Sequence, residues 1–163
     1  MNHLKNLEKT MQFYTQSSGA FLTVKDKDGR INTMSVSWGF IGEIWGAPHF
    51  ICVVRPQRYT FKLIENAVDF TISVPYGNLA KELQICGTKS GADIDKSEVV
   101  KFLPAKKTIS PIVDGCNAYY ECIINYSDSL KEELMSDEAK SHYNNDAHHF
   151  YIGKIVEAYN REK

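Results

Sequence analysis

A long hydrophobic run is the first thing missing: nothing in the 163 residues approaches the roughly 18 consecutive apolar residues of a membrane span. The opening Met-Asn-His-Leu-Lys-Asn-Leu-Glu-Lys carries charges where a signal peptide needs an unbroken apolar stretch, so a cytoplasmic protein without a membrane partner is expected. Cysteine is sparse. The four thiols, Cys52, Cys86, Cys116 and Cys122, include no CxxC pair, which removes thioredoxin-type redox motifs and paired-knuckle zinc sites and leaves free thiols as the expected state. Charge of one sign is missing too. With 19 Lys plus Arg against 20 Asp plus Glu, there is no basic surplus for neutralising many phosphates, so general nucleic-acid binding is excluded. No repeat, low-complexity tract or Pro/Gly/Ser-rich linker divides the chain, which reads as one domain over residues 1–163. That is long enough to form a core without disulfides or a structural metal.

What is present is strand-like. Gly19–Lys25 and Ile31–Trp38 flank Asp26-Lys-Asp-Gly-Arg30, and Asp-Gly supplies the positive φ of a hairpin turn. Gly39, Gly42, Gly46 and Pro48 suggest a loop carrying Trp45, followed by a short apolar strand at His49–Arg55. Residues 58–67 show helical spacing, Asp69–Pro75 is again a strand, and Asn78 is a plausible N-cap for a helix over Leu79–Ile85. A loop over Cys86–Lys96 then leads to a short helical stretch near Glu98. The period-2 pattern of Asn117–Tyr126 predicts a strand with Ala118, Tyr120, Cys122, Ile124 and Tyr126 on one face. Lys131–Tyr143 reads as a solvated helix, and His149–Tyr159 as the last strand. Strands outnumber long helices and do not alternate with them at the doubly wound spacing. The predicted class is therefore mainly β, a closed or partly closed antiparallel barrel with short peripheral helices.

Familiar catalytic patterns are absent: there is no GxGxxG, P-loop, HExxH or GxSxG. Three polar segments remain. Asn32-Thr-Met-Ser-Val-Ser-Trp38 offers hydroxyls, an amide and an aromatic cover for a ligand, or is simply a half-buried strand. Arg55-Pro-Gln-Arg-Tyr-Thr60 sets two guanidiniums and a hydroxyl around a turn entering a helix, which suits phosphate. The alternative is two surface arginines paired with acidic side chains. Cys86-Gly-Thr-Lys-Ser-Gly91 can turn backbone N–H groups toward an anion, or be a solvated turn. Cys86 also admits a reading as a nucleophile beside Lys89, against the commoner reading of a buried thiol. Adjacent His148 and His149 point to opposite faces of a strand and do not chelate one metal, so no metal is expected; one should face a cavity and the other solvent.

In this order the segments resemble the flavin reductase-like family of FMN-binding split barrels, which includes flavoredoxin. The resemblance runs from Gly19 through Asn32–Gly39, Arg55–Thr60, Asp69–Pro75, Cys86–Gly91 and Asp95-Lys96 to His148–Gly153. It implies a Greek-key split β-barrel, noncovalent FMN and a homodimer with flavin near the subunit boundary. By position, Asn32, Thr33, Met34, Ser35 and Trp38 match the strand along the isoalloxazine and ribityl chain. Arg55, Arg58, Tyr59 and Thr60 match the phosphate segment, and Cys86, Gly87, Thr88, Lys89 and Ser90 the loop over the flavin. His148 matches a substrate-side histidine and is the candidate catalytic residue. The family loop commonly continues Ser-Gly-Arg-Asp, whereas Ala92 stands here in place of that arginine. The implied activity is electron transfer from NADH or NADPH through FMN to free flavin, a redox protein partner or a small acceptor. The alternative is an electron carrier or sensor with little nucleotide turnover.

Overall fold

The computed structural model describes residues 7–16 and 19–160, so the charged start at residues 1–6 lies outside the described residues. A helix that the sequence reading did not anticipate, α1 (Leu7–Gln16), precedes β1 (Ala20–Lys25) and β2 (Ile31–Val36). The predicted turn joins these two strands in register Lys25 to Ile31, with Gly29 at φ 82°. Asp26 fixes it, because its carboxylate accepts the backbone N–H groups of Asp28 and Arg30 and pairs with the Arg30 guanidinium at 2.7 Å. These contacts lower the Asp26 pKa against the upward pull of its burial.

The predicted glycine-rich loop is instead a hairpin of β3 (Gly39–Ile44) and β4 (Ala47–Val54). Its turn residues Trp45 and Gly46 both have positive φ, 53° and 65°, the geometry a two-residue hairpin needs. Pro48 is tolerated because β4 pairs with its other neighbour only from His49 onward. Next come α2 (Tyr59–Ile64), shorter than expected, β5 (Asp69–Val74) and α3 (Ala80–Thr88). Helix α3 starts from Leu79 in the left-handed region rather than from an Asn78 cap, and Asn78 bonds Asn117 instead. It also runs on through Cys86, Gly87 and Thr88, so these are helical and not loop.

After a 3₁₀ turn at Lys96–Glu98, the short strands β6 (Phe102–Leu103) and β7 (Ile112–Val113) form a small second sheet. Strand β8 (Ala118–Ser129) follows. The predicted helix over 131–143 reduces to a 3₁₀ turn at Glu132–Leu134 and the single turn α4 (Asp137–Lys140). Met135 is extended and Ser136 starts a new helix by accepting the Ala139 N–H, which divides the segment. The last strand is β9 (His149–Asn160).

Seven strands form one antiparallel sheet in the order β2-β1-β5-β8-β9-β4-β3. The sheet is not closed, which corrects the closed form of the expected barrel. Its β2 edge nevertheless approaches β4, the strand next to the opposite edge, since Met34 and Val36 of β2 share a core cluster with Phe50, Cys52 and Val54 of β4. A cavity between these strands, lined by Met34, Ser35 and Val36 on one side and Val53 and Arg55 on the other, occupies the place of a closing ladder. The predicted β8 face holds for Ala118, Tyr120 and Cys122, which are buried. An irregularity between Ile124 and Tyr126 then breaks the alternation and leaves Tyr126 exposed. On the other side of the sheet a second cluster packs Phe21, Tyr119 and Val113 against Leu83 and Cys86 of α3.

Candidate functional site

Two adjoining cavities open where the sheet is split. The first, about 210 Å³, is lined by Met34 to Trp38, Val53, Arg55, Arg58 and His148. The second, about 140 Å³, shares Met34 and Arg58 and is completed by Asn32, residues 57–60, residues 86–91 and Lys96. Strand β2 therefore forms one wall of a continuous trough.

At the wider end Trp38, 47% exposed, lies against His148 with ring centroids 5.0 Å apart. His148 is buried, and its Nδ1 is 3.0 Å from the Tyr143 hydroxyl. Its pKa is depressed to about 4, first by burial and then by the Arg55 charge, against an opposing pull from Asp146, so it is neutral at pH 7. Arg55 is already engaged. Its guanidinium meets the Asp146 carboxylate at 2.5 Å, donates to the His142 carbonyl and lies over the Tyr143 ring.

The narrower end differs in charge. Arg58, Lys89 and Lys96 line it, and among the described residues no Asp or Glu does. Arg58 donates to the Gly87 carbonyl at 3.0 Å, and the buried Lys96 ammonium donates to the Cys86 and Lys89 carbonyls at 2.9 and 2.5 Å. Two cations thus satisfy the C-terminal end of α3, whose dipole favours positive charge there. Burial lowers the Lys96 pKa, the Cys86 thiol opposes that shift and the Arg58 guanidinium adds to it. Asn32 donates to the Thr60 hydroxyl at 2.8 Å, which fixes the orientation of its amide. Gly87 packs directly on the Ser35 hydroxyl, so that a Cβ there would collide with it. The helix end can approach β2 this closely only because it carries glycine.

The trough brings together all but one of the residues singled out from sequence. Thr33 points elsewhere, since its buried hydroxyl bonds Thr23 and the Leu22 carbonyl. Cys86 borders the narrow cavity but is fully buried, and burial raises its thiol pKa against the Lys96 charge, with Glu82 adding to the rise. That is the reverse of what activates a nucleophile. His149, expected to face solvent, is half-buried. It packs edge-on against Phe61, and its buried Nδ1 has no hydrogen-bond partner among the described residues. Lys96 and Gln57 complete the site without having been assigned roles. The signal for Lys96 was a lysine shortly after a helix end, where exposed carbonyls need donors.

A family model for the flavin reductase like domain matches residues 15–163. An uncharacterised protein of Archaeoglobus fulgidus is 31% identical over 128 residues, 77% of this chain and 63% of its own length. One of Pyrococcus abyssi is 29% identical over 103 residues, 63% of this chain and 59% of its own. The chain thus spans about three-fifths of the length of these curated relatives. Among solved structures, flavoredoxin from Methanosarcina acetivorans superposes with a TM-score of 0.72 at 22% identity, covering 88% of this chain and 68% of its own. The NADH:FAD oxidoreductase of Streptomyces globisporus does so with 0.68 at 15% identity, covering 87% and 74%. These likenesses show a shared fold. Because the family match takes in nearly the whole chain, including every strand of the split sheet and both cavities, this protein belongs to the flavin reductase-like family.

Proposed function

We propose that this protein holds FMN noncovalently in the trough along β2 and passes electrons from NADH or NADPH to free flavin, a redox protein partner or a small acceptor. The observation that carries this reading is the charge of the narrow cavity, with Arg58, Lys89 and Lys96 on its walls and no carboxylate among the described residues that line it. Such a donor set fits a phosphate, and the adjoining wider cavity with Trp38 and His148 at its side suits an aromatic ring. A bound flavin would supply the hydride and electron chemistry, which no side chain here provides.

The chain's own residues position and enclose. Asn32, fixed by Thr60, and Ser35 present polar groups along β2, while Trp38 and His148 form the wall where a nicotinamide or acceptor would approach. Neutral His148 offers hydrogen bonding without adding charge, a positioning role more than that of a proton reservoir.

A second reading, an electron carrier with little nucleotide turnover, is favoured by one specific feature. Arg55, the cation that lines the wider cavity and not the narrow one, is already paired with the Asp146 carboxylate, which weakens the hold on an anionic dinucleotide donor. The visible spectrum of the purified protein, with its chromophore identified by mass before and after anaerobic NADH or NADPH, tests both. Rapid bleaching of bound FMN supports the reductase, and bound FMN that neither nucleotide reduces supports the carrier. A colourless protein that refuses added FMN removes both. The proposal extends to a cytoplasmic homodimer, since exposed Phe40 and Trp45 lie on and beside the edge strand β3. A monomer by sedimentation at micromolar concentration contradicts that extension.

A further inference from the structure

Resting on the flavin reading above, we infer that Tyr143 is a positioning residue of the site: its hydroxyl donates to Nδ1 of His148 and holds the imidazole as the tautomer that presents an Nε2–H donor to the wider cavity. Three contacts fix this histidine. Its carbonyl accepts the Leu130 N–H at 2.9 Å, which pins the backbone just before β9. The Trp38 ring packs against the imidazole at 43°, and the Tyr143 ring meets it edge-on at 75° with centroids 5.5 Å apart. Nδ1 is taken by the Tyr143 hydroxyl at 3.0 Å, whereas Nε2 bonds no protein group among the described residues. Nor is Nε2 sealed away, because among the described residues the buried side-chain polar atom without a partner is Nδ1 of His149. The free ring nitrogen is therefore the one open to the cavity that His148 lines.

Chemistry sets the direction of the bond. A phenol O–H is a stronger donor than an imidazole N–H, and an imidazole nitrogen a stronger acceptor than a phenol oxygen, so the pair settles as O–H to Nδ1 with the ring proton on Nε2. In the opposite arrangement the tyrosyl proton would have no acceptor among the described residues. Burial raises the Tyr143 pKa, the Arg55 charge opposes that rise, and Asp146 and Glu132 add to it, so the phenol keeps its proton. Arg55 secures Tyr143 from both flanks. It donates to the His142 carbonyl and pairs with Asp146, and its guanidinium lies 5.4 Å from the centre of the Tyr143 ring. Tyr143 does not itself line the cavity, so it acts through His148. A ligand group that meets His148 must then be an acceptor, such as a carbonyl oxygen.

Tyr143→Phe removes the hydroxyl and keeps the ring beside His148 and Arg55. Nitrogen NMR of the isotope-labelled full-length protein at neutral pH reads the tautomer, because ring nitrogens with and without a proton resonate far apart, and His148→Asn identifies the His148 signals among the five histidines. The expected result is Nε2–H in the wild type and a mixture of tautomers in Tyr143→Phe. FMN affinity should stay within about twofold, while reduction of bound FMN by the nicotinamide nucleotide should slow about tenfold. A wild-type Nδ1–H form, a tautomer that the variant leaves unaltered, or an altered tautomer with an unchanged rate overturns the positioning role while the flavin reading stands. A wild type that binds no FMN, or whose FMN neither nucleotide reduces, overturns the reductase reading and this role together.

Discussion

Residues 104–111 and residues 89–96 are both irregular chain beside the sheet, and each is tied down by buried ionisable side chains, but of opposite sign. In the first segment Glu121, fully buried, accepts the backbone N–H groups of Lys106, Lys107 and Thr108 and the Tyr159 hydroxyl. Asp69 takes those of Ile109 and Ser110. These carboxylates meet their donors at close range and none of the segment's residues lines the trough, so the fastening is structural. In the second segment Lys96, with Arg58 alongside, takes carbonyls at the end of α3. Carbonyl dipoles offset only part of a full cation, and Lys96 and Arg58 both border a cavity with no carboxylate among the described residues of its wall. The same device seals one segment and leaves the other attractive to an anion.

The largest expected effect breaks the sealed side. Glu121→Ala leaves three part-buried N–H groups without their acceptor and should cost about 2–4 kcal/mol in urea unfolding. The flavin affinity of the folded protein should remain as it was. On the open side Lys96→Met should cost less stability, about 1–3 kcal/mol, and in addition lower FMN affinity relative to riboflavin by about tenfold. A loss of stability with no change in that ratio would make Lys96 a fastening like Glu121 and erase the contrast.

Arg58→Ala should also lower FMN affinity more than riboflavin affinity, since only FMN bears the phosphate, and Arg55→Ala should do so less because Asp146 already holds Arg55. Equal losses at the two positions would show that Asp146 does not divert Arg55 from the ligand. The last effect is silent at neutral pH. His148 has a folded pKa of about 4 against an ordinary value of 6.5, so the unfolded chain takes up its proton first. Stability should fall as pH drops from about 6.5 to 4, and His148→Asn should flatten that part of the curve. An unchanged slope in the variant would mean that His148 is not enclosed as described.

Legibility varied with how local the cause was. The β1–β2 hairpin was readable because Asp26 and Gly29 make their own turn. Strand β5 was readable as well, since Phe70, Ile72 and Val74 alternate with Asp69, Thr71 and Ser73 and each set has its own core or polar partners. Residues 39–48 misled because their glycines signal loops in general, while Trp45 and Gly46 here close a hairpin onto β9's neighbour. Residues 131–143 misled because a charged, unbranched stretch resembles a helix, yet the segment has no apolar face to bury and Ser136 caps a new turn within it. For the site, the order of motifs along the chain gathered nearly every trough residue. Their separate environments were not legible: Arg55 and Arg58 stand three positions apart, yet one answers a carboxylate 91 residues along the chain and the other a helix end.

Sequence alone determined the family, the strand-rich class and the set of polar groups from which a flavin site could be built, because motif order and period-2 patterning are properties of neighbouring residues. Only the tertiary structure decided that the sheet stays open between β2 and β4, that Thr33 turns away from the trough and that Lys96 turns into it. Each of those depends on what arrives from a distant part of the chain. A buried cation or hydroxyl is tolerated only where partners meet it, and those partners are chosen by packing rather than by adjacency.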